Sequence, residues 1–333
     1  MANVVEMDER RVEAFLARLA EIEPVERRRR RRTGLVPRAA IAVAIVVAAL
    51  AVVLPLPGDR LDTETAAARA LERVARVAAA QPVVADDGRY TYSRTLSKSR
   101  ITYGAPRRYA AVRFVREELW LAPNGSGRVR TVSGPLRFPS AQARAEWEAH
   151  GDWISTEPSD RRFRLRPHFR SVEELPADAD QLTELLREES ERASSGKRGV
   201  APYESFEHLM FARLVGVLAP MNSEINRRPA LRAAFFRAVA RFEGTQLLGR
   251  MLDPAGRRGV GVGFEILGQR SVLIFDPRTS RILALKEVVL EPARYPELGR
   301  VPPGYAIAWT AYLEAARVDS LTDRPGVPSR RRS

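Results

Sequence analysis

Three histidines, His150, His168 and His208, are the candidates for proton transfer, and no G-x-S-x-G stands in the chain to expose a serine nucleophile on a strand-to-helix turn. His208 lies in an apolar stretch that suits a hydrogen-bonded core histidine better than a catalytic one. Ser194-Ser195-Gly196-Lys197 has the S-x-x-K spacing in which a lysine can activate a serine hydroxyl, but its companion S-D-N and K-T-G elements are missing and its setting is that of a loop. Asp178 and Asp180 begin like a calcium loop; the fifth position must also offer oxygen, and Leu182 stands there. Gly259, Gly261 and Gly263 alternate along a strand, which fits bending or close packing and not a dinucleotide fingerprint. Asn124-Gly125-Ser126 has the form of a glycosylation sequon. Trp120, Trp147, Trp153 and Trp309 can line a groove but fit packing roles better. Cysteine is absent, so disulfides and thiolate metal sites are excluded. The expectation is a non-enzymatic protein with no catalytic residue, no cofactor and no metal site.

The chemistry that the sequence does carry is topological. Six arginines, Arg27, Arg28, Arg29, Arg30, Arg31 and Arg32, precede a stretch of 20 uncharged residues between Arg38 and Asp59. That is close to the roughly 20 residues a helix needs to cross the hydrocarbon core. Nine of the residues in 41–54 are Ile, Val or Leu, each favouring insertion by about 0.3–0.6 kcal/mol. The arginines would hold their side cytoplasmic and meet anionic headgroups. A cleaved signal peptide fits less well, because the n-region is 38 residues long and Pro-Leu-Pro-Gly-Asp follows the apolar run where small residues are wanted. A buried core helix or a nucleic-acid patch suits the six arginines beside a wholly apolar run less well still.

Ahead of the arginines, Val12, Phe15, Leu16, Leu19 and Ile22 form one apolar stripe of an amphipathic helix. A helix this short is marginal alone, so the stripe needs a membrane surface, a partner groove, or no partner at all if it frays. Net charge is +14, of which the first 38 residues contribute +3 as 10 basic against 7 acidic residues. A basic remainder suits anionic envelope polymers or lipid headgroups, or simply solubility.

The elements beyond the span read as follows. A helix capped at Asp62 or Thr63 runs to about Gln81 and stops at Pro82, burying Ala67, Leu71, Val74, Val77 and Ala78. Strands are expected at 89–96, 109–121 and 128–132, the last two joined at Asn124-Gly125. A short helix is expected at 140–150, and 155–170 reads as polar, basic and irregular. Helices follow at 179–191, at 203–218 and from Pro229, the last with Leu231, Ala234, Phe235, Ala238, Val239 and Phe242 inward. Strands return at 246–252, 259–267, 271–275, 281–290 and 305–313, with turns at Asp253-Pro254-Ala255-Gly256 and Asp276-Pro277-Arg278-Thr279-Ser280. Hairpin-length connections imply antiparallel pairing. The fold class is therefore α+β, with helices on one face of a curved antiparallel sheet.

Three stretches carry a resemblance: Glu174-Leu175-Pro176-Ala177-Asp178-Ala179-Asp180-Gln181-Leu182, residues 229–240 (PALRAAFFRAVA) and residues 273–283 (LIFDPRTSRIL). With the order tail, anchor and outer domain, they resemble an actinobacterial family of single-pass membrane proteins of unassigned function. The layout is similar to membrane-anchored anti-sigma-type regulators, although this tail lacks the His and Cys zinc ligands that many of those carry. The layout also resembles, more loosely, the half-barrel of lipoprotein carriers and envelope-stress regulators.

The resulting expectation has four segments: a cytoplasmic tail at 1–38, a transmembrane helix at 39–57, an extracytoplasmic domain at 58–318 and a disordered tail at 319–333. Expected partners are the membrane, a cytoplasmic protein on the tail, and an envelope lipid or polymer outside, with no nucleic acid. The expected function is a membrane-anchored extracytoplasmic regulator or sensor. The alternative is an anchored carrier or scaffold for lipid or polymer, favoured by an apolar cleft inside the curved sheet and disfavoured by a sheet concavity filled with side chains.

Overall fold

A computed structural model describes residues 60–83, 89–103, 109–150, 156–164, 175–195, 225, 228–266, 268–295 and 298–325. The tail stripe at Val12–Ile22, the six arginines, the candidate span at 39–57 and the expected helix at 203–218 lie outside these residues. Among the described residues no helix is long and apolar enough to cross a membrane.

Four helices are described: α1 (Arg60–Ala79), α2 (Ala141–His150), α3 (Ala179–Ser195) and α4 (Pro229–Ala240). In α1, Ala67, Ala70, Leu71, Val74, Ala75 and Ala78 are buried, a stripe spaced by three and four residues. Residue Pro82, which cannot continue a helix, follows its end. Asp178 caps α3, its Oδ1 accepting from the Asp180 and Gln181 amides at 3.0 Å. Ser140 caps α2 in the same way, accepting from Ala143 N at 3.1 Å. Proline opens α4 at a position where the missing amide costs nothing, and that helix is buried nearly all round.

The strands form one nine-stranded sheet in the order β4-β3-β2-β1-β11-β8-β7-β6-β5. They are β1 (Tyr90–Tyr103), β2 (Tyr109–Leu121), β3 (Ser126–Ser133), β4 (Ser159–Arg164), β5 (Thr245–Leu252), β6 (Arg258–Ile266), β7 (Gln269–Phe275), β8 (Ile282–Val289) and β11 (Ala306–Val318). Every neighbouring pair is antiparallel. A separate short hairpin pairs β9 (Ala293–Tyr295) with β10 (Gly299–Val301). The sheet is large and curved, and register shifts at Arg94/Thr95, Ala306/Ala308, Leu247/Gly249 and Ile274/Phe275 supply local bends. The α+β class and the curved antiparallel sheet expected from the sequence are both present.

Strand alternation gives the sheet two buried faces. On one, Val262, Phe264, Leu273, Phe275, Ile282 and Tyr312 share a core with α1, α3 and α4. Phe236 of α4 meets Phe275 edge-on at 5.3 Å. Trp147 of α2 joins Ile101 and Ala111, which stand on the same side further along the sheet. On the other face, Ile274, Ala284, Ala311 and Leu96 lie opposite one another across four strands and are each fully buried. Over these four strands the second face is therefore covered and not open to solvent.

Two expectations need correcting. The stretch 155–170 is not wholly irregular: Phe163 packs over Gly127, where any added side chain would collide, and this seats β4 on β3. The chain does not become free at residue 319 either. Trp120 Nε1 donates to Asp323 O at 2.7 Å, Arg128 Nη1 donates to Leu321 O at 2.8 Å, and Arg324 pairs with Glu118 at 2.8 Å. Residues 319–325 are held against β2 and β3 by these contacts, while 326–333 lie outside the described residues.

Gly259 tests the packing of β6. A Cβ there would stand 2.7 Å from Ile274 Cγ2 and 2.8 Å from Phe275 O. Gly259→Ala is expected to lower the unfolding free energy by about 1–3 kcal/mol in urea titration; an unchanged midpoint would contradict this packing. Glu117 provides a pH test. Burial raises its carboxyl pKa, with Arg161 and Arg113 opposing that shift. The folded chain therefore holds this proton more tightly than the unfolded chain, so ionisation destabilises the fold as pH rises. Glu117→Gln is expected to raise Tm at about pH 7 and to lose that gain below about pH 4, where both states are protonated.

Candidate functional site

A cleft of about 360 Å³ lies between α1 and the β5 edge of the sheet. Its α1 wall is Ala70, Arg73, Val74 and Val77, one helical stripe spaced i, i+3, i+4 and i+7. The facing wall is Leu247, Gly249 and Arg250 of β5, with Val260, Phe275 and Pro277 behind. The helix turns one flank into the common core and leaves the other over this space. Phe275 is fully buried and Val74 is 2% exposed, so the cleft has a packed apolar floor.

The opening owes its shape to a bulge. Register shifts between Leu247 and Gly249, and Gly249 takes φ 78°, a left-handed conformation that favours glycine. A Cβ at Gly249 would meet nothing within 4 Å, so this stretch of edge strand faces open space. Arg73 and Arg250 are exposed on opposite walls and make no ion pair among the described residues. The lining contains two guanidinium groups and no carboxylate.

One end of the cleft is pinned by a polar cluster centred on the buried Arg232 and Ser280. Gln81, just past α1, donates from Nε2 to Thr279 O at 2.8 Å and accepts from Arg232 Nη2. Arg232 Nε donates to Ser280 Oγ at 2.9 Å. Ser280 sits at φ 53° in the turn after Pro277, a turn closed by Asp276, which accepts from Arg278 N at 2.9 Å and Thr279 Oγ1 at 2.8 Å. Arg232 is 1% exposed, and burial with the nearby Arg281 pulls its pKa down to about 10. It stays charged at neutral pH. The cluster ties α1, α4 and the β7–β8 turn together.

The residues singled out from sequence are not gathered at the cleft. Arg27–Arg32 and the stripe Val12, Phe15, Leu16, Leu19, Ile22 lie outside the described residues, as do His168, His208 and Trp153. His150 ends α2, and Ser194 and Ser195 end α3. Asp178 serves as a helix cap and Asp180 pairs with Arg241. Trp120 packs on Tyr92 at 5.2 Å, Trp147 on Phe138 at 5.8 Å and Trp309 near Phe114 at 6.2 Å. Gly259 and Gly263 allow close approach by Ile274 and Arg270. Among the described residues no cluster of three acidic or histidine side chains is arranged to hold a metal. Sequence reasoning missed Arg73 and Arg250; the available signal was Val77, an apolar stripe residue with an arginine beside it on the same flank.

No family model, no curated protein and no solved structure matches this chain.

The pinning cluster makes a definite prediction. Arg232→Lys keeps the buried charge but removes the fork that reaches Gln81 and Ser280 together. At about 1 kcal/mol per hydrogen bond lost, a destabilisation of about 2 kcal/mol is expected in urea titration. Lysine at wild-type stability would show that the fork does not hold α1 in place.

Proposed function

We propose that this chain is a non-enzymatic membrane-anchored regulator or sensor, with residues 1–38 in the cytoplasm, one span at 39–57 and the α+β domain outside. The observation that supports this reading most is the place of α1. It begins at Arg60, three residues past the candidate span, and it forms one wall of the cleft. Anything that enters the cleft presses on the first element of the domain, which continues in sequence into the anchor. The Gln81–Arg232–Ser280 cluster fixes the far end of that helix, so a load on its cleft side falls between a pinned end and a membrane end. A ligand can shift such an arrangement only by its differential affinity for two positions of α1. The tail stripe Val12, Phe15, Leu16, Leu19 and Ile22 then offers a helix-in-groove surface to a cytoplasmic protein.

The carrier or scaffold reading draws on the same cleft, whose floor is apolar, and assigns the tail only a topological role. Full burial of Leu96, Ile274, Ala284 and Ala311 weighs against a lipid cavity over that part of the sheet.

The two readings part on one experiment. Full-length protein and a version lacking residues 1–26 are purified from native membranes and their companions compared. The regulator reading expects a cytoplasmic protein that is recovered only with the intact tail. Identical companions for both versions would contradict it and leave the carrier.

A further inference from the structure

We propose that the α1–β5 cleft binds a single-chain anionic amphiphile, its apolar chain along Val74, Val77, Leu247, Val260 and Phe275 and its acidic head between Arg73 and Arg250. This deepens the ligand-binding half of the regulator reading and rests on it for its purpose.

Side-chain polarity in the lining comes from the two guanidinium groups alone. A carbohydrate would need side chains matching its hydroxyls, and desolvating them against Val and Phe would cost free energy with nothing in return. A cationic head would meet two like charges, and the cationic part of a zwitterionic head would find no carboxylate to balance it. An apolar tail gains from every Å² it hides on the floor. An acid head gains charge-assisted hydrogen bonds from arginines that make no ion pair among the described residues. At about 360 Å³ the cleft falls at the small end of ligand pockets, which suits one chain and excludes a two-chain lipid. The bulge at Gly249 leaves the backbone without a side chain where the cleft opens, giving the chain a way in. A carboxylate and a phosphate head share the chemistry that the arginines recognise.

The test uses the full chain in phosphatidylcholine nanodiscs, with empty nanodiscs as the blank, and the fluorescent probe 11-(dansylamino)undecanoic acid. Lauric acid, dodecyl phosphate, dodecanol and inorganic phosphate are the competitors. Expected results are saturable one-site binding, displacement by lauric acid or dodecyl phosphate, and affinity at least tenfold weaker for dodecanol. Arg73→Glu and Arg250→Glu, both surface changes, should each weaken probe binding about tenfold without lowering Tm. Val77→Trp, which fills the cleft, should remove binding of probe and alcohol alike. Added salt should weaken the acids more than the alcohol. The proposal is overturned if no protein-dependent signal appears, if dodecanol competes as well as lauric acid, or if the arginine variants bind normally. Displacement by inorganic phosphate alone, with lauric acid inert, would also overturn it in favour of a simple anion site. Probe binding is read on the version lacking residues 1–26 as well. Identical companions with and without residues 1–26, with probe binding intact, would sink the regulator reading and spare the ligand assignment. A cytoplasmic partner recovered only with the intact tail, with no probe binding, would do the reverse.

Discussion

Tyr90 pairs with Val318 and Lys98 with Trp309, so the first strand of the domain lies along the last for most of their length. This antiparallel seam joins two sets of hairpins, β1 to β4 on one side and β5 to β8 on the other, into a single sheet. Contacts along it are not generic. Lys98, only 4% exposed, donates to the Tyr305 hydroxyl at 2.8 Å and to Ala306 O at 3.1 Å. Its ammonium also lies 4.2 Å from the Tyr305 ring centre. Arg94 pairs with Glu314 at 3.2 Å across the same seam. Without the seam neither half would pair its inner strand on both edges, and closing so long a stretch of chain carries a large entropic cost.

The seam also decides where space is left. Helices α1 and α4 cover the β5–β8 half through Leu231, Phe235, Phe236 and the α1 stripe. A cylinder laid over a twisted sheet cannot follow its edge, and the bulge at Gly249 turns β5 further away. The cleft is the gap that results. It lies beside α1, the first described helix, and is rimmed by two arginines. Those features turn a packing remainder into a ligand site in this account.

Much of this was legible in the sequence, for identifiable reasons. Turn chemistry is local: Gly125 and Gly256 take the left-handed conformations that Asn124-Gly125 and Asp253–Gly256 announce, and Asp253 Oδ1 accepts from Arg257 N at 2.7 Å. The stripe of α1 and the proline start of α4 are equally local. What was not legible depends on partners distant in sequence. In β4, Ser-Asp-Arg-Arg-Phe-Arg carries one apolar residue and becomes a strand only because Gly127 leaves room for Phe163. The strand expected at 89–96 stops short of the polar half of β1, where Lys98 donates to Tyr305. Residues 319–325 are ordered by Trp120 and Arg128 donating to backbone carbonyls, and carbonyls have no sequence signature. The cleft escaped for the same reason, since Arg73 and Arg250 are ordinary surface arginines until the fold sets them on facing walls.

The central claim is that α1 stands outside the membrane with its cleft flank open. The chain has no cysteine, so a single introduced thiol reports its own environment. Arg73→Cys, treated in intact cells with a membrane-impermeant maleimide, tests that claim most directly, with Ala2→Cys as the cytoplasmic control. The account predicts that Cys at position 73 labels in intact cells and that Cys at position 2 labels only after lysis. Labelling at position 73 only after lysis would place the domain inside and contradict the account.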